Sequence, residues 1–362
     1  MVEELRKRIL DAPDDPDPWR VLGDWLQQRG DPRGEFIRVQ LALEDPLIDP
    51  ATRRSLQGKE RALLNAHERE WLGPLGDPLF ANKDQPLSAR WGFRRGFLHT
   101  LDLVNAMPDV VAGLVASPDR DLLRSLSVEY AFEENEVLEP LVNVNFPSVV
   151  AFRFGDGTGS LREEGLAGVI AGGMPRLRAL TVSGRRVDTK SLFSLKAPDL
   201  EELDVSCAHE HATKALAKNP SFANLERLAL APHALEPGDD ESGYLPLSAV
   251  RDIARSPHLQ AIGQLSLWQS SAGDAGVAEL LRSGMLARLH ILNLSYGTIT
   301  DEGARMIAES EAPKTLQSLT LTQNRLTPDG IALVEGCGIG HVVAQNQRDE
   351  DNIWYLYHGD IE

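Results

Sequence analysis

Two histidines and a glutamate stand together at His209, Glu210 and His211, a set of side chains that could bind a metal ion. Zinc sites on helices place two histidines four residues apart on one face, and the histidines here are only two apart. No third ligand lies near them in the sequence, although a zinc site needs at least three protein ligands. We therefore predict a surface loop that follows a strand, and no metal site.

The motifs of nucleophilic catalysis and phosphate binding are also missing from the sequence. Neither Cys207 nor Cys337 has the flanking residues of a catalytic cysteine, and no Gly-x-Ser-x-Gly occurs. The segment GDGTGS at residues 155–160 has no following Lys-Ser or Lys-Thr, so its glycines are better explained as a turn out of a strand. We predict no catalytic residues and no cofactor, and we do not expect an enzyme.

A polar cluster near the N-terminus could be imagined as an acid–base site, and it consists of Asp24, Arg29, Asp31, Arg33, Glu35 and Arg38. Asp31 precedes Pro32, which is the arrangement of a helix N-cap with proline in the first turn. The remaining charges alternate in sign as solvated helix charges do. A structural or docking role therefore explains the cluster better than catalysis does. We expect Arg94 and Arg95 to pair with acidic residues of the front helices.

The spacing Leu-x-x-Leu-x-Leu recurs about every 25 residues between Leu98 and Leu321 and predicts the architecture. Each copy alternates a short strand with a turn and a helix, as in residues 289–308. Repeated strand and helix units build an α/β solenoid in which a curved parallel sheet lines the concave face and helices cover the outside. One longer step contains a proline- and glycine-rich segment at residues 231–247, which predicts a protruding loop.

The residues before the repeats show helical periodicity, with three helices at about residues 18–29, 32–43 and 51–71. We predict a helical domain at 1–75, a connector at 76–97, the repeat solenoid at 98–340, and a C-terminal cap and tail at 341–362. In the tail, Trp354, Tyr355, Leu356 and Tyr357 would cover the open end of the core.

Composition limits the possible partners. The formal net charge is −17, so phosphate backbones and anionic membranes are repelled by the overall field. No apolar stretch reaches the length of a membrane span, and only two cysteines occur, far apart. We expect a cytoplasmic protein with reduced thiols, and neither nucleic acid nor membrane as a partner.

Two resemblances rest on these motifs. The repeats, with Thr-Asp-x-Gly at residues 300–303 and a related helix start at 327–330, resemble the ribonuclease-inhibitor-like class of leucine-rich repeats. The front segment GDWLQQRGDPRGEFIRVQLAL at residues 23–43, with GFRRGF at 92–97, is similar to the bacterial repeat-companion domain that precedes repeat arrays. The first resemblance implies a horseshoe fold, and the second implies no catalytic role.

Strand residues between the buried leucines must point to the concave face, because side chains alternate along a strand. Most of them are small, and Trp268 and Ile291 are the large apolar exceptions, expected next to each other on neighbouring strands. The predicted binding residues are Trp268, Ile291, Asn293, Arg227, Arg153, Glu202, Asp204 and Glu129.

We therefore expect a non-enzymatic scaffold or adaptor that binds a protein or peptide partner on its concave face. Two alternatives stay open at this point. One is an accessory recognition subunit of a biosynthetic operon that holds a precursor peptide, and the other is a regulator of the GTPase-activating type. The alternative for Trp268 itself is that its ring folds down as packing.

Overall fold

A computed structural model describes residues 2–81, 89–131, 138–155, 165–184, 187–232 and 245–348. The chain divides into two compact units, the first formed by residues 1–152 and 168–176 and the second by residues 153–167 and 177–362. Strand β4 (Ala151–Phe154) and helix α7 (Leu166–Gly173) cross this division along the sequence.

The first unit is mainly helical at its start and then forms three strands. Its helices are α1 (Val2–Asp11), α2 (Pro16–Gln27), α3 (Pro32–Leu43), α4 (Pro50–Trp71), α5 (Gly76–Ala81) and α6 (Pro108–Ala116). Its strands are β1 (Arg90–Arg94), β2 (Phe97–Ala106) and β3 (Ser125–Ala131). Strand β1 is antiparallel to β2, and β2 is parallel to β3.

The second unit repeats a strand and a helix. Its strands are β5 (Ala179–Gly184), β6 (Glu202–Cys207), β7 (Arg227–Pro232), β8 (Gln264–Leu267), β9 (Ile291–Asn293), β10 (Ser318–Thr320) and β11 (His341–Val343). Its helices are α8 (Thr189–Leu192), α9 (Thr213–Lys218), α10 (Leu247–Ala254), α11 (Gly273–Arg282), α12 (Asp301–Ala308) and α13 (Pro328–Gly336). The strands β5 to β11 pair in parallel with their neighbours in chain order. The predicted α/β fold with a helical N-terminal part is confirmed.

Alternation along the strands sorts the side chains as expected. In β7, Leu228 and Leu230 are at most 1% exposed, whereas Arg227 is exposed and Ala229 is half-buried. The same pattern recurs in β6 and β8, so the leucine positions form continuous buried rows from repeat to repeat. Each repeat buries its apolar side chains against the next one, which is how a solenoid acquires a core.

The front helices begin where their caps predict. Asp31 accepts a hydrogen bond from the Arg33 backbone N–H at 2.8 Å with Pro32 in the first turn, and Asp49 caps α4 in the same way. Gly30 closes the preceding turn at φ +77°, a conformation that glycine adopts without strain. The apolar core of these helices contains Ile9, Trp19, Leu22, Ile37, Phe97 and Leu122.

The expected pairing of Arg94 and Arg95 with the front helices is confirmed. Both guanidinium groups donate to Glu44, the C-cap residue of α3, at 2.9 and 2.7 Å. The Arg95 guanidinium is buried and also donates to the Pro13 carbonyl at 2.9 Å. Burial alone would raise the pKa of the Glu44 carboxyl, but the hydrogen bonds from Arg95 and Arg94 bring it below its usual value.

Three short elements lie in segments for which no helix or strand was predicted. Residues 76–97, the predicted connector, contain helix α5 and strand β1, and residues 341–362, the predicted cap and tail, begin with strand β11. These elements span only three to six residues, too few to show a helical or strand period. The centre of the 231–247 loop and the four C-terminal aromatic and aliphatic residues, Trp354, Tyr355, Leu356 and Tyr357, lie outside the described residues.

The Thr-Asp-x-Gly start of α12 and the related Thr-Pro-Asp-Gly start of α13 connect successive repeats. The Thr327 backbone N–H and hydroxyl donate to the two oxygens of Asp301 at 2.9 and 2.6 Å. One repeat earlier, Thr300 makes the same pair of bonds to Asp274, at 2.9 and 2.6 Å. The N-cap threonine of each helix is thus fixed by an aspartate of the preceding repeat. The side chain of Asn324 is fully buried and adds a further tie, because it donates to the Leu294 carbonyl and accepts from the Ile299 N–H.

The prediction of a surface loop at His209, Glu210 and His211 is wrong for one of the three residues. His209 and Glu210 are exposed, but His211 is 4% exposed. Its ring lies 3.6 Å from the Cys207 sulfur and 3.4 Å from the Val205 carbonyl oxygen, while the Cys207 thiol donates to the His209 carbonyl. The turn after β6 folds His211 inward, and burial lowers its pKa to about 4.

We expect Gly330→Ala to destabilise the protein by about 2 kcal/mol, although alanine has a higher helix propensity than glycine. A Cβ at residue 330 would lie 2.0 Å from the Asp301 carboxylate oxygen that accepts from Thr327. Gly336→Ala in the same helix is the control, since a Cβ there meets nothing within 4 Å. Urea denaturation gives both free energies of unfolding, and equal values would refute this account of the threonine–aspartate tie.

We expect the stability of the wild type to fall as the pH drops from about 6.5 to about 4, because His211 binds a proton more readily in the unfolded chain. His211→Gln should remove about 2 kcal/mol of the stability change between pH 7 and pH 5. Denaturation by urea at the two pH values measures it, with His209→Gln as the exposed control. An unchanged pH dependence in His211→Gln would contradict the burial of a neutral imidazole.

Candidate functional site

Strands β6 to β9 carry their outward side chains in two aligned rows. The first row consists of Glu202, Arg227, Gln264 and Ile291, which lie opposite one another in successive strands. The second row consists of Asp204, Ala229, Ser266 and Asn293. We call this surface, together with Trp268 beyond the end of β8, the β6–β9 face.

A hollow of about 550 Å³ occupies the centre of the β6–β9 face. Its floor is low because the middle positions are small, with Ala229, Ala231 and Ser266 beneath it. Larger side chains stand around the floor: Asp204, Arg227, Gln264, Trp268, Ile291 and Asn293. A hollow of this volume is the size of a typical ligand site in a protein.

Trp268 stands at one end of the hollow and is 42% exposed. Its backbone N–H donates to the Leu230 carbonyl at 3.0 Å, which extends the parallel pairing one residue beyond β8. Its ring centroid lies 5.6 Å from that of Tyr296 in the next repeat, at an interplanar angle of 45°. The ring therefore has a supporting neighbour on one side and access to the hollow on the other, and it does not fold down as buried packing.

Ile291 lies at the other end of the hollow and is 39% exposed. The expectation that it adjoins Trp268 is wrong. The register pairs Ile291 with Gln264, four residues before Trp268 in the sequence. Four residues of strand span about 13 Å, so the two apolar side chains mark opposite ends of one hollow.

The charged residues of the face form a short network. The Arg227 guanidinium lies 3.1 Å from the Glu202 carboxylate and 3.9 Å from that of Asp204. Burial raises the pKa of the Asp204 carboxyl, and the positive charges of Arg227 and Arg153 only partly oppose that rise. The Asp204 carboxylate is thus incompletely compensated in the free protein.

Five of the eight predicted binding residues line the hollow: Trp268, Ile291, Asn293, Arg227 and Asp204. Glu202 does not line the hollow, but it forms an ion pair with Arg227, which does. Arg153 is exposed on β4, and Glu129 is half-buried on β3 in the first unit. The alternation of side chains along strands did not predict Tyr296 as a residue beside Trp268. Tyr296 follows β9 and has a φ of +58°, so the strand periodicity no longer applies to it.

Gln264 also lines the hollow, in the first row of the β6–β9 face, and it is not among the predicted binding residues. Its signal in the sequence was its place between Arg227 and Ile291 in the alignment of repeats. An uncharged amide in that place offers both a donor and two acceptor positions to a ligand.

Within the described residues, 2–81 to 245–348, no group of three or more His, Cys, Asp or Glu side chains is placed to hold a metal ion. The thiols of Cys207 and Cys337 are free, and Cys207 is buried. In the same part of the chain, every helix is too short or too polar to cross a bilayer.

A family model described as a leucine-rich repeat matches residues 289–308, which contain strand β9 and helix α12. No curated protein matches this sequence. A solved structure of a protein from Bacteroides fragilis is 17% identical, with 69% of this chain and 73% of that chain covered and a TM-score of 0.53.

Two further solved structures have lower TM-scores. An internalin from Listeria monocytogenes is 18% identical, with 68% of this chain and 67% of that chain covered and a TM-score of 0.38. The leucine-rich repeat-containing protein LegL7 from Legionella pneumophila is 14% identical, with coverages of 68% and 88% and a TM-score of 0.39.

The matched residues form one strand–turn–helix unit, and units of this kind recur in parallel along the second unit of the chain. The protein has a leucine-rich-repeat fold.

Proposed function

We propose that this protein is a non-enzymatic scaffold or adaptor that binds a protein or peptide partner through the β6–β9 face. The observation that carries the proposal is the hollow of about 550 Å³ with Trp268 standing open at its end. Tryptophan and arginine are enriched among the residues that contribute most to protein interfaces. Both occur at this hollow, in Trp268 and Arg227.

The face suits recognition because it is formed before a partner arrives. Strand hydrogen bonds fix the backbone on both sides of Trp268, and the Tyr296 ring limits the positions of its indole. Arg227 is held by Glu202 at 3.1 Å. Side chains that are already ordered lose little conformational entropy on binding, so a larger share of the contact energy appears as affinity.

The finer family assignment is part of the same proposal. We infer that the repeats are of the ribonuclease-inhibitor-like class, supported by the Thr-Asp-x-Gly start of α12 and the related start of α13. We also infer a repeat-companion domain at 1–75, supported by the capped helices α2 and α3. We also propose the domain limits 76–97, 98–340 and 341–362, and a cytoplasmic location, which the two distant cysteines support. The net charge of −17 suits neither nucleic acid nor anionic membranes as partners.

We expect Trp268→Ala to weaken partner binding about 30-fold or more, because it removes an aromatic anchor from the end of the hollow. The assay captures partners from native lysate on immobilised protein, identifies them by mass spectrometry, and measures the affinity of each purified partner. Leu333→Ala is the matched control, since Leu333 is a similarly exposed apolar residue, at 39%, on helix α13.

Equal melting temperatures of the two variants establish that both are folded. A partner retained by wild type and Leu333→Ala but lost by Trp268→Ala supports the proposal. If Trp268→Ala retains every partner with unchanged affinity, the β6–β9 face is not the binding surface.

A further inference from the structure

We propose that the hollow of the β6–β9 face accepts a cationic side chain, arginine or lysine, presented by an extended segment of the partner. This inference rests on the proposed function, and it specifies the chemistry of what the face binds. Three independent observations point to it: the charge balance at the hollow, the open aromatic ring, and the overall charge of the protein.

The charge balance comes from the network of Arg227, Glu202 and Asp204. Two carboxylates share one guanidinium, and Arg227 lies 3.1 Å from Glu202 but 3.9 Å from Asp204. Its closer partner is therefore the carboxylate outside the hollow, which leaves Asp204 as the weakly paired charge inside. Arg153 acts on Asp204 from β4 through its charge and is not among the residues that line the hollow.

Burial makes this carboxylate receptive to a cation. Asp204 lies in the second row between Thr181 of β5 and Ala229 of β7, and the methyl side chain of Ala229 leaves the carboxylate open toward the hollow. Desolvation of the carboxylate outweighs the two arginines, as the raised pKa of Asp204 indicates. The Asp204 side chain is 40% exposed, so its carboxylate is partly desolvated and still open to a ligand, and a positively charged group in contact with it offsets the cost of that desolvation.

The ring of Trp268 provides the second contact for such a group. Asp204 and Trp268 lie on strands β6 and β8, separated by β7 with its alanines at 229 and 231. Asp204 is level with Ser266, two residues before Trp268, so two strand spacings and this offset separate the two backbone positions by about 12 Å, a gap in which one long side chain fits between carboxylate and indole. A guanidinium or ammonium over a tryptophan face gains a cation–π interaction, and the methylene stem of the same side chain packs on the apolar floor at Ala229 and Ala231.

The overall field favours the same ligand. With a formal net charge of −17 the protein attracts basic segments over long distances and repels acidic ones. An acidic partner would have to approach against this field and would meet Asp204 inside the hollow. An arginine or lysine agrees with the long-range field and with both local contacts.

The test uses fluorescein-labelled hexapeptide pools with randomised flanking positions and one fixed central residue: arginine, lysine, citrulline or glutamate. Citrulline has the shape of arginine without its charge. Fluorescence anisotropy at low ionic strength measures the affinity of each pool for the full-length protein. We expect the arginine and lysine pools to bind about tenfold more tightly than the citrulline pool.

Two variants separate local from general electrostatics. Asp204→Asn should remove the preference for arginine over citrulline, because it deletes the carboxylate while keeping the side-chain shape. Glu335→Gln on α13 changes the net charge by the same amount at an exposed position away from the face and should leave the preference intact. Trp268→Ala should weaken both pools, and the arginine pool more than the citrulline pool, because it also removes the cation–π contact.

The outcomes distinguish this inference from the proposed function. Equal binding of the arginine and citrulline pools, or tightest binding of the glutamate pool, overturns the cation preference, and sensitivity of that binding to Trp268→Ala would still support the face. If Glu335→Gln loses the preference for arginine over citrulline as Asp204→Asn does, the preference comes from the net charge of the protein, and the hollow is not selective. Failure of every pool to bind at millimolar concentration, or binding unaffected by Trp268→Ala, overturns the proposed face and the inference with it.

Discussion

Each strand of the second unit can satisfy its backbone and bury its leucines only against its neighbours in sequence. The N–H groups of one strand donate to the carbonyls of the preceding or the following one, and the leucine rows meet at the same level in each repeat. This mutual dependence fixes the register of the sheet, because a slip by one residue would turn every leucine toward solvent. The positions of Trp268, Asp204 and Arg227 all follow from that register.

Side chains beyond the strands reinforce the same constraint. Asp301 holds Thr327 at the start of the next helix, and the buried amide of Asn324 joins the turn after β10 to the turn after β9. Gly303 at the start of α12 and Gly330 at the start of α13 leave room for the aspartate of the preceding repeat. Glycine is therefore required at these positions by a contact with the neighbouring repeat, and not by the helix that contains it. On the helical side, Glu279 of α11 accepts from Arg251 and Arg255 of the preceding repeat at 3.1 and 3.0 Å, and these bonds lower its pKa.

The β6–β9 face lies where the regular repeats carry side chains of unequal size on their outward positions. Small side chains in the middle of the rows leave a low floor, and the large ones at 227, 264, 268 and 291 stand around it. Gln269 and Tyr296 follow their strands with φ values of +52° and +58°, a strained conformation for residues other than glycine. These turns set the direction of the chain next to Trp268 and bring the Tyr296 ring beside it. The hollow is thus formed by backbone geometry as much as by residue size.

The repeat, the alternation of buried and outward residues, and the helix caps at Asp31 and Asp49 can all be read from the amino-acid sequence. These features depend on periods of two or on neighbours within a few residues, which a sequence displays directly. The pairing of Arg94 and Arg95 with the acidic front helices could also be predicted from the sequence, because arginines beside acidic helices have few other partners.

Which outward residues share one hollow depends on contacts that the sequence does not display. The alignment of the repeats places Ile291 level with Gln264, but the shared lining of one hollow by Ile291 and Trp268 follows from the folded chain. The burial of His211 and the support of Trp268 by Tyr296 likewise depend on turns whose direction no strand period predicts. Local periodicity states which face a side chain occupies, whereas contacts between repeats determine what stands beside it.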